Sequence, residues 1–489
     1  MRQLSRGTVF LATLLLTANL SAQVGPAMPQ KPTHATAVSV AETPLQPGQR
    51  GQYLIQDAGD TVSIPLETRQ SGRVVITTTG PSDTVLSVYD DDGTLRAWND
   101  DYGSLLTSRV ILDIDAGSTY ELTVHLFSPW ATGPFGVEVS PLIDTSVDDF
   151  GGRDNPSPYT LGTTIAARMD YIGDVDAFTF VPPVDGIYRI ETVGTLDTVM
   201  FMMDSLGRIM FEADDTGKDL NPAIETELYA SQAYTVLVHA YDPERTGAYE
   251  LTSSLVAQGR RLQPATHESP GDVYAVIVGA ADYRGSGDLV GTLTDSYNVY
   301  RYVRRVLGAP ADNVILLQDQ LGVLDDTVSA GMVLDALARV AERAGPEDTV
   351  LFYYSGHGDE RDGAFYLSLP DGELTGDDLS RILNGMRADK VLLIFDSCNA
   401  GGFGELLVNE QRTILSASAG DELSYVYEAG ASTRTLGSVF TSWFADHLLY
   451  SPDSLTLQQA FDRTVSDLLR VQATQNPQLF TRRADFRMR

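Results

Sequence analysis

The chain has 489 residues, 43% of them apolar and 20% charged, enough for roughly two to four domains with real cores. Thirty-four basic residues against 66 acidic ones leave a formal charge of −32, which excludes nucleic acid and anionic membranes as natural partners and suits basic substrates, divalent cations or plain solubility. The one cysteine, Cys398, rules out an internal disulfide and a cysteine-rich zinc site.

The N-terminus carries Arg2 and Arg6, then a mostly apolar stretch from Val9 to Leu20, then Ser21-Ala22. This order of charge, short apolar core and small residues reads as an export signal over residues 1–22. The apolar run is too short for a membrane span. The expected location is periplasmic or extracellular. Residues 23–48, with Pro26, Pro29, Pro32, Pro44 and Pro47, read as a linker.

Two segments then repeat at a fixed offset. Gly59-Asp60 returns as Gly173-Asp174, Asp83-Thr84-Val85 as Asp197-Thr198-Val199, Tyr120 as Tyr234 and His125 as His239, each 114 residues later (173 − 59 = 114). Period-two apolar runs separated by turn clusters such as Asp90-Asp91-Asp92-Gly93 predict two antiparallel β-sandwiches, over 49–142 and 150–256. His125 and His239 lie within strand patterns and read as sheet residues. The repeated pairs Asp100-Asp101 and Asp214-Asp215 read either as turn formers or as Ca²⁺ ligands. The run DTVLSVYDDDGTLRAWNDD at 83–101 resembles bacterial pre-peptidase C-terminal β-sandwich domains. Members of that family accompany secreted peptidases, and some are removed on maturation or bind matrix or polysaccharide. The resemblance implies an accessory role.

Residues 257–271 read as a second linker, and the pattern then changes over 272–489. Apolar runs at 273–278, 314–317, 350–354 and 391–395 predict strands buried on both faces. Helical periods fall between them at 297–307, 332–343 and 379–386, and another follows at 457–469. This alternation predicts an α/β domain with a mostly parallel sheet flanked by helices, its ligands bound beyond the C-terminal strand ends. Two of those ends carry chemistry. The strand at 350–354 runs into Ser355-Gly356-His357-Gly358, and the strand at 391–395 into Asp396-Ser397-Cys398-Asn399-Ala400-Gly401-Gly402. An imidazole beside a thiol can take its proton, let it attack a carbonyl, and then protonate a leaving amine. The backbone N–H groups of Gly358 and Cys398 are the candidate oxyanion donors.

These blocks, YYSGHG at 353–358 and FDSCNAG at 395–401, resemble the histidine and cysteine blocks of the caspase-like clan of cysteine peptidases. Asp396-Ser397-Cys398 resembles the metacaspases and their bacterial relatives, whereas caspases carry Gln-Ala-Cys. The metacaspase resemblance implies an acidic primary pocket that takes Arg or Lys, matched here by Asp295, Ser355 and Asp396. It also implies partners that are proteins or peptides with basic residues. No cofactor is expected to be required. In this domain Ca²⁺ enters through the family's acidic cluster, matched in part by Asp377-Asp378, which reads equally as a helix cap. Asp295 reads equally as a helix N-cap. His447 reads as structural, and His34 and His267 fall in linkers. Arg260-Arg261 and Arg412 sit where loops are expected and are candidates for self-cleavage. Two other readings stay open: an inactive caspase-fold scaffold, and a matrix- or polysaccharide-binding protein acting through its sandwiches.

Overall fold

The computed structural model describes residues 38–41, 43–100, 106–214, 220–259, 271–283, 289, 291–319, 328–425, 437–450, 455–470 and 475–483. The expected export signal, residues 23–37 of the first linker, His34, Asp101, Asp215, Arg260, Arg261 and His267 lie outside the described residues.

The first β unit has two sheets. One orders Val38–Val40, Thr61–Glu67, Thr119–Leu126, Thr84–Tyr89 and Leu95–Asn99 side by side; the other orders Arg50–Ile55, Gly133–Val139, Gly72–Thr79 and Arg109–Ile114. Inward residues of both sheets, among them Ile64, Leu86 and Val124 from one and Ile76, Leu112 and Val137 from the other, join in one core. The second unit repeats this order with Ser157–Pro158, Val175–Phe180, Tyr234–Ala240, Thr198–Asp204 and Ile209–Ala213 in one sheet, and Thr164–Met169, Gly247–Gln258, Gly186–Gly194 and Ala223–Leu228 in the other. Strand starts shift by the sequence offset: Arg50 to Thr164, Leu95 to Ile209 and Arg109 to Ala223 are all 114 residues apart (164 − 50 = 114). His125 and His239 lie on matching strands, and each ring Nδ1 meets the carbonyl of the next residue, at 3.0 and 2.9 Å. They serve the sheets.

The C-terminal domain is built on a six-stranded sheet in the order Val314–Gln318, Val273–Gly279, Thr349–Ser355, Lys390–Asp396, Arg412–Ser416 and Gln478–Phe480, of which only the last strand is antiparallel. The three strands Val273–Gly279, Thr349–Ser355 and Lys390–Asp396 are buried almost throughout because helices cover both faces. Alternate residues face opposite cores. Ile277, Tyr353 and Ile394 face the layer holding α1 (Gly291–Arg301), α5 (Val439–Tyr450) and α6 (Leu457–Arg470). Val278, Phe352 and Phe395 face α2 (Ala330–Arg343), α3 (Gly376–Leu383) and α4 (Gly402–Leu407). No helix among the described residues is long and apolar enough to cross a membrane.

Three expectations are corrected. Helix α1 starts at Gly291, six residues before the predicted 297, which places Asp295 inside it and removes the N-cap reading. The run Thr292, Thr294, Ser296 is weakly helical by propensity, but tertiary packing of Leu293 and Tyr297, both buried, overrides it. Arg412 is not in a loop: it opens an inner strand, is 9% exposed, and its guanidinium donates to Asn384 Oδ1 at 3.0 Å. A buried strand residue is no cleavage site. Residues 358–375 form a small antiparallel sheet of Gly358–Arg361, Ala364–Leu369 and Gly372–Thr375 that was not expected.

The second β unit is docked on the C-terminal domain through α1. Val199, Phe201, Met203 and Ile209 share one buried cluster with Ala281 and Leu293. Around it Phe211 meets Tyr297 edge-on at 6.1 Å, Arg208 lies 4.3 Å over the Tyr300 ring and Arg305 lies 4.5 Å over Tyr229. Gln318 donates to the Ile209 carbonyl at 3.1 Å. Packed apolar contacts of this kind are worth ~1.5–3 kcal/mol per side chain. Proteolytic cutting within residues 260–270 is therefore expected to leave both pieces in one particle on gel filtration, and Phe201→Asp to release them. Separation of the unsubstituted pieces would show that this contact is weak.

Candidate active site

The histidine and cysteine loops leave neighbouring parallel strands in register. Ser355 pairs with Asp396, so the loops that carry His357 and Cys398, each two residues further on, leave neighbouring strands at the same sheet edge, where strands stand ~4.8 Å apart. Gly358 seals the contact: a Cβ there would collide with the Cys398 carbonyl and the Ser397 hydroxyl. On the other flank Asn399 takes a left-handed backbone, φ 57°, a conformation Asn tolerates better than most residues. Its amide Nδ2 donates to Gly420 O at 2.9 Å and its N–H to Glu422 O at 2.8 Å.

His357 is held by tyrosines. Its N–H donates to Tyr283 Oη at 2.8 Å, its carbonyl accepts from Tyr354 Oη at 2.8 Å, and the Tyr283 ring lies edge-on to the imidazole at 4.5 Å. Tyr283 lies just past the C-terminal end of Val273–Gly279. The strand-end rule that picked out the other loops points to this position too, although no motif marks it. Cys398 is half-buried, with Sγ 4.0 Å from the Ser424 carbonyl. Burial pushes its thiol up, and the nearby Asp396 charge adds to this. A thiol raised in this way holds its proton more tightly, and that proton must leave during attack.

Behind the sulfur the structure gathers Asp295, Ser355 and Asp396, which are 0%, 2% and 3% exposed. Asp295 Oδ2 accepts from Ser438 N at 2.9 Å and from Ser355 Oγ at 3.3 Å, while Asp295 Oδ1 is buried without a hydrogen-bond partner. Asp396 accepts from Ser424 Oγ at 2.9 Å, from Thr441 Oγ1 at 2.7 Å and from Ser438 Oγ. Ser424, Ser438 and Thr441 carried no signal in the sequence, since hydroxyl residues are common and only the fold brings them here. Burial holds Asp295 well above the usual carboxylate range, reinforced by the Asp396 charge; burial also raises Asp396. Two buried carboxylates with an unpartnered oxygen attract a cation and reject an anion.

Asp378 has other work. It accepts from Thr375 N at 3.1 Å while its own N–H donates to Thr375 Oγ1 at 3.2 Å, a capping box for α3, and Arg381 lies 3.2 Å from its second oxygen. Neither Asp377 nor Asp378 joins a cluster of three potential ligands among the described residues. His447 Nε2 meets Asp467 Oδ2 at 2.9 Å and ties α5 to α6.

Residues 272–486 match the Peptidase C14 family, the caspase domain. The C-terminal domain belongs to the caspase-like clan of cysteine peptidases. Among curated proteins, this caspase domain is similar to Metacaspase-1 of Kluyveromyces lactis, 26% identical over 195 residues (34% of this chain, 45% of the relative). It is also similar to Metacaspase-1A of Aspergillus oryzae, 30% over 142 residues (26% and 34%), and to Metacaspase-1A of Aspergillus fumigatus, 30% over 190 residues (34% and 46%). The chain spans less than half the length of these relatives. The matches fall short of the whole chain, and the two β units lie outside the caspase domain.

Proposed function

We propose that this chain is an exported cysteine endopeptidase that cuts after arginine or lysine, with Cys398 as nucleophile and His357 as general base and acid. The observation that supports the reading is the in-register pairing of Thr349–Ser355 with Lys390–Asp396, the two strands that run into the His357 and Cys398 loops, beside a buried acidic pair. His357 takes the thiol proton as sulfur attacks the substrate carbonyl carbon. The oxyanion is met by the N–H groups of Gly358 and Cys398. The imidazolium then protonates the leaving amine, the C–N bond breaks, and a thioester remains. Water, deprotonated by the same imidazole, hydrolyses it. Asp295, Ser355 and Asp396 hold the substrate cation; guanidinium, with its planar fork, fits two carboxylates better than ammonium does. No cofactor takes part in these steps. The relatives named as metacaspases support this reading. Export rests on the pattern of residues 1–22. The β units are read as two sandwich modules of one kind that carry the peptidase, which their common strand order and offset support.

Purified full-length chain should hydrolyse peptide reporters with arginine before the scissile bond at least ~10²-fold faster, by kcat/KM, than the same peptides with aspartate. An uncompensated buried charge costs about 3–5 kcal/mol, and each 1.4 kcal/mol is tenfold. Preference for aspartate would overturn the pocket assignment. Hydrolysis of neither reporter would favour the scaffold reading.

A further inference from the structure

We propose that the second β unit holds a divalent cation, best suited to Ca²⁺, between Asp148, Asp149, Asp170, Asp174 and Asp176. The five carboxylates form two overlapping triads, Asp148–Asp149–Asp170 and Asp148–Asp174–Asp176, and within each the potential ligand oxygens lie within 4.8 Å of one another. They come from three parts of the chain: the segment joining the β units, the loop after Thr164–Met169, and the strand Val175–Phe180.

An acidic surface patch would not carry this proposal; the buried oxygens do. Asp176 is 0% exposed and Asp174 is 3% exposed, and Oδ1 of each is buried without a hydrogen-bond partner. Leaving such an acceptor unsatisfied is costly, so a ligand for it is expected. The remaining oxygens are already oriented. Tyr249 Oη donates to Asp176 Oδ2 at 2.6 Å, Asp170 N to Asp174 Oδ2 at 2.6 Å, Tyr171 Oη to Asp148 Oδ2 at 3.2 Å and Asp149 N to Asp170 Oδ2 at 2.9 Å. Such outer bonds aim carboxylates at a metal. The nearby cations do not balance the charge: Arg168 lies 3.5 Å from Asp170, and Arg73 is engaged with Asp113 at 2.7 Å. Burial, then neighbouring charge, pushes Asp176 up to about 8 and Asp149 up to about 6. Clustered oxygen donors of flexible geometry suit Ca²⁺ better than Mg²⁺, which demands a near-ideal octahedron and keeps its water.

The first unit lacks the set. At the matching positions 62 (176 − 114) and 56 (170 − 114) stand Val62 and Gln56. The site therefore does not arise from the shared turn chemistry of the two units. It also sits at their joint. Arg73 of the first unit donates to the Gly173 carbonyl and lies 5.0 Å over the Tyr171 ring. A bound ion would stiffen this joint by fixing the connecting segment to the loop that Arg73 grips.

The test uses chelator-treated full-length chain. Tb³⁺ should show luminescence sensitised through Tyr171 and Tyr249, displaced by Ca²⁺. Ca²⁺ at about 100 times Kd should raise the unfolding midpoint of the β units by roughly 5–10 °C. Asp148→Asn and Asp176→Asn should each reduce Ca²⁺ affinity at least ~10-fold; Asp148 is half-buried, so its variant guards against misfolding of the other. Absence of a Ca²⁺ shift in the parent chain, or shifts unchanged in both variants, overturns the site. Reporter hydrolysis is not the readout, so the outcome is independent of the proposed peptidase activity.

Discussion

Cys398→Ala should lower kcat for an arginine reporter by roughly 10⁴–10⁶-fold, and His357→Ala should do nearly the same, because each removes a member of one chemical unit. The double variant should be no worse than either single one, since the remaining partner has nothing left to act on. Stability should hardly change in Cys398→Ala: the residue is half-buried and its sulfur has one long contact, to the Ser424 carbonyl at 4.0 Å. Circular dichroism and the unfolding midpoint should match the parent while activity is gone. Alkylation gives a second readout. Because burial pushes the thiol up, the thiolate fraction at pH 7 is small, and the rate of reaction with iodoacetamide should keep climbing above pH 8. A rate that levels off below pH 7 would mean a standing thiolate–imidazolium pair. Full activity in Cys398→Ala would end the mechanism.

Asp396→Asn should cut kcat/KM for the arginine reporter by about 10²–10⁴-fold, equivalent to about 3–5 kcal/mol for one lost partner of a buried ion pair. The same variant should be at least as stable as the parent at pH 7–8. The sign follows from the direction of the shift. A carboxyl whose folded pKa lies above its unfolded value binds more protons folded than unfolded, so it weakens the fold as pH rises past the unfolded value, near 4. Both Asp295 and Asp396 are raised in this way. An amide has the same shape, keeps its oxygen for the hydroxyls of Ser438 and Thr441, turns its NH2 to Ser424 Oγ, which can accept from it, and carries no charge to desolvate. In the proposed reading the acidic pair favours a cationic substrate at the expense of stability, the trade-off typical of functional sites. Measuring kcat/KM beside the unfolding midpoint from pH 5 to 8 tests both halves. Unaltered arginine cleavage in Asp396→Asn and in Asp295→Asn would remove the pocket from the mechanism.

The parallel sheet was legible because strands covered on both faces must be apolar throughout, as Val273–Gly279 and Thr349–Ser355 are. The proposed site follows from its ends, since the strands that lead to His357 and Cys398 pair in register up to Ser355 and Asp396. Other parts were hidden by context. Helix α1 begins in Thr- and Ser-rich chain whose helicity comes from contacts with distant residues. The hairpin after His357 did leave a local mark: Asp362-Gly363 adopts positive φ at both residues, 54° and 80°, the geometry for which Asp-Gly is the usual pair. The charged run around it masked the alternation of Ala364–Leu369. Arg412 was misplaced because an arginine at an inner strand is rare, and only Asn384 across the fold explains how it is held. The Asp148–Asp176 cluster spans 28 residues (176 − 148) with no spacing pattern to announce it.

The docking of the second β unit bears on how the protein can be dissected. Recombinant protein begun at residue 272 would present Ala281, Leu293 and Tyr297 to water, an apolar patch whose last two members lie on the helix that positions Asp295. Such a truncation invites aggregation and a misaligned acidic pair, and poor turnover by it would say little about the full-length chain.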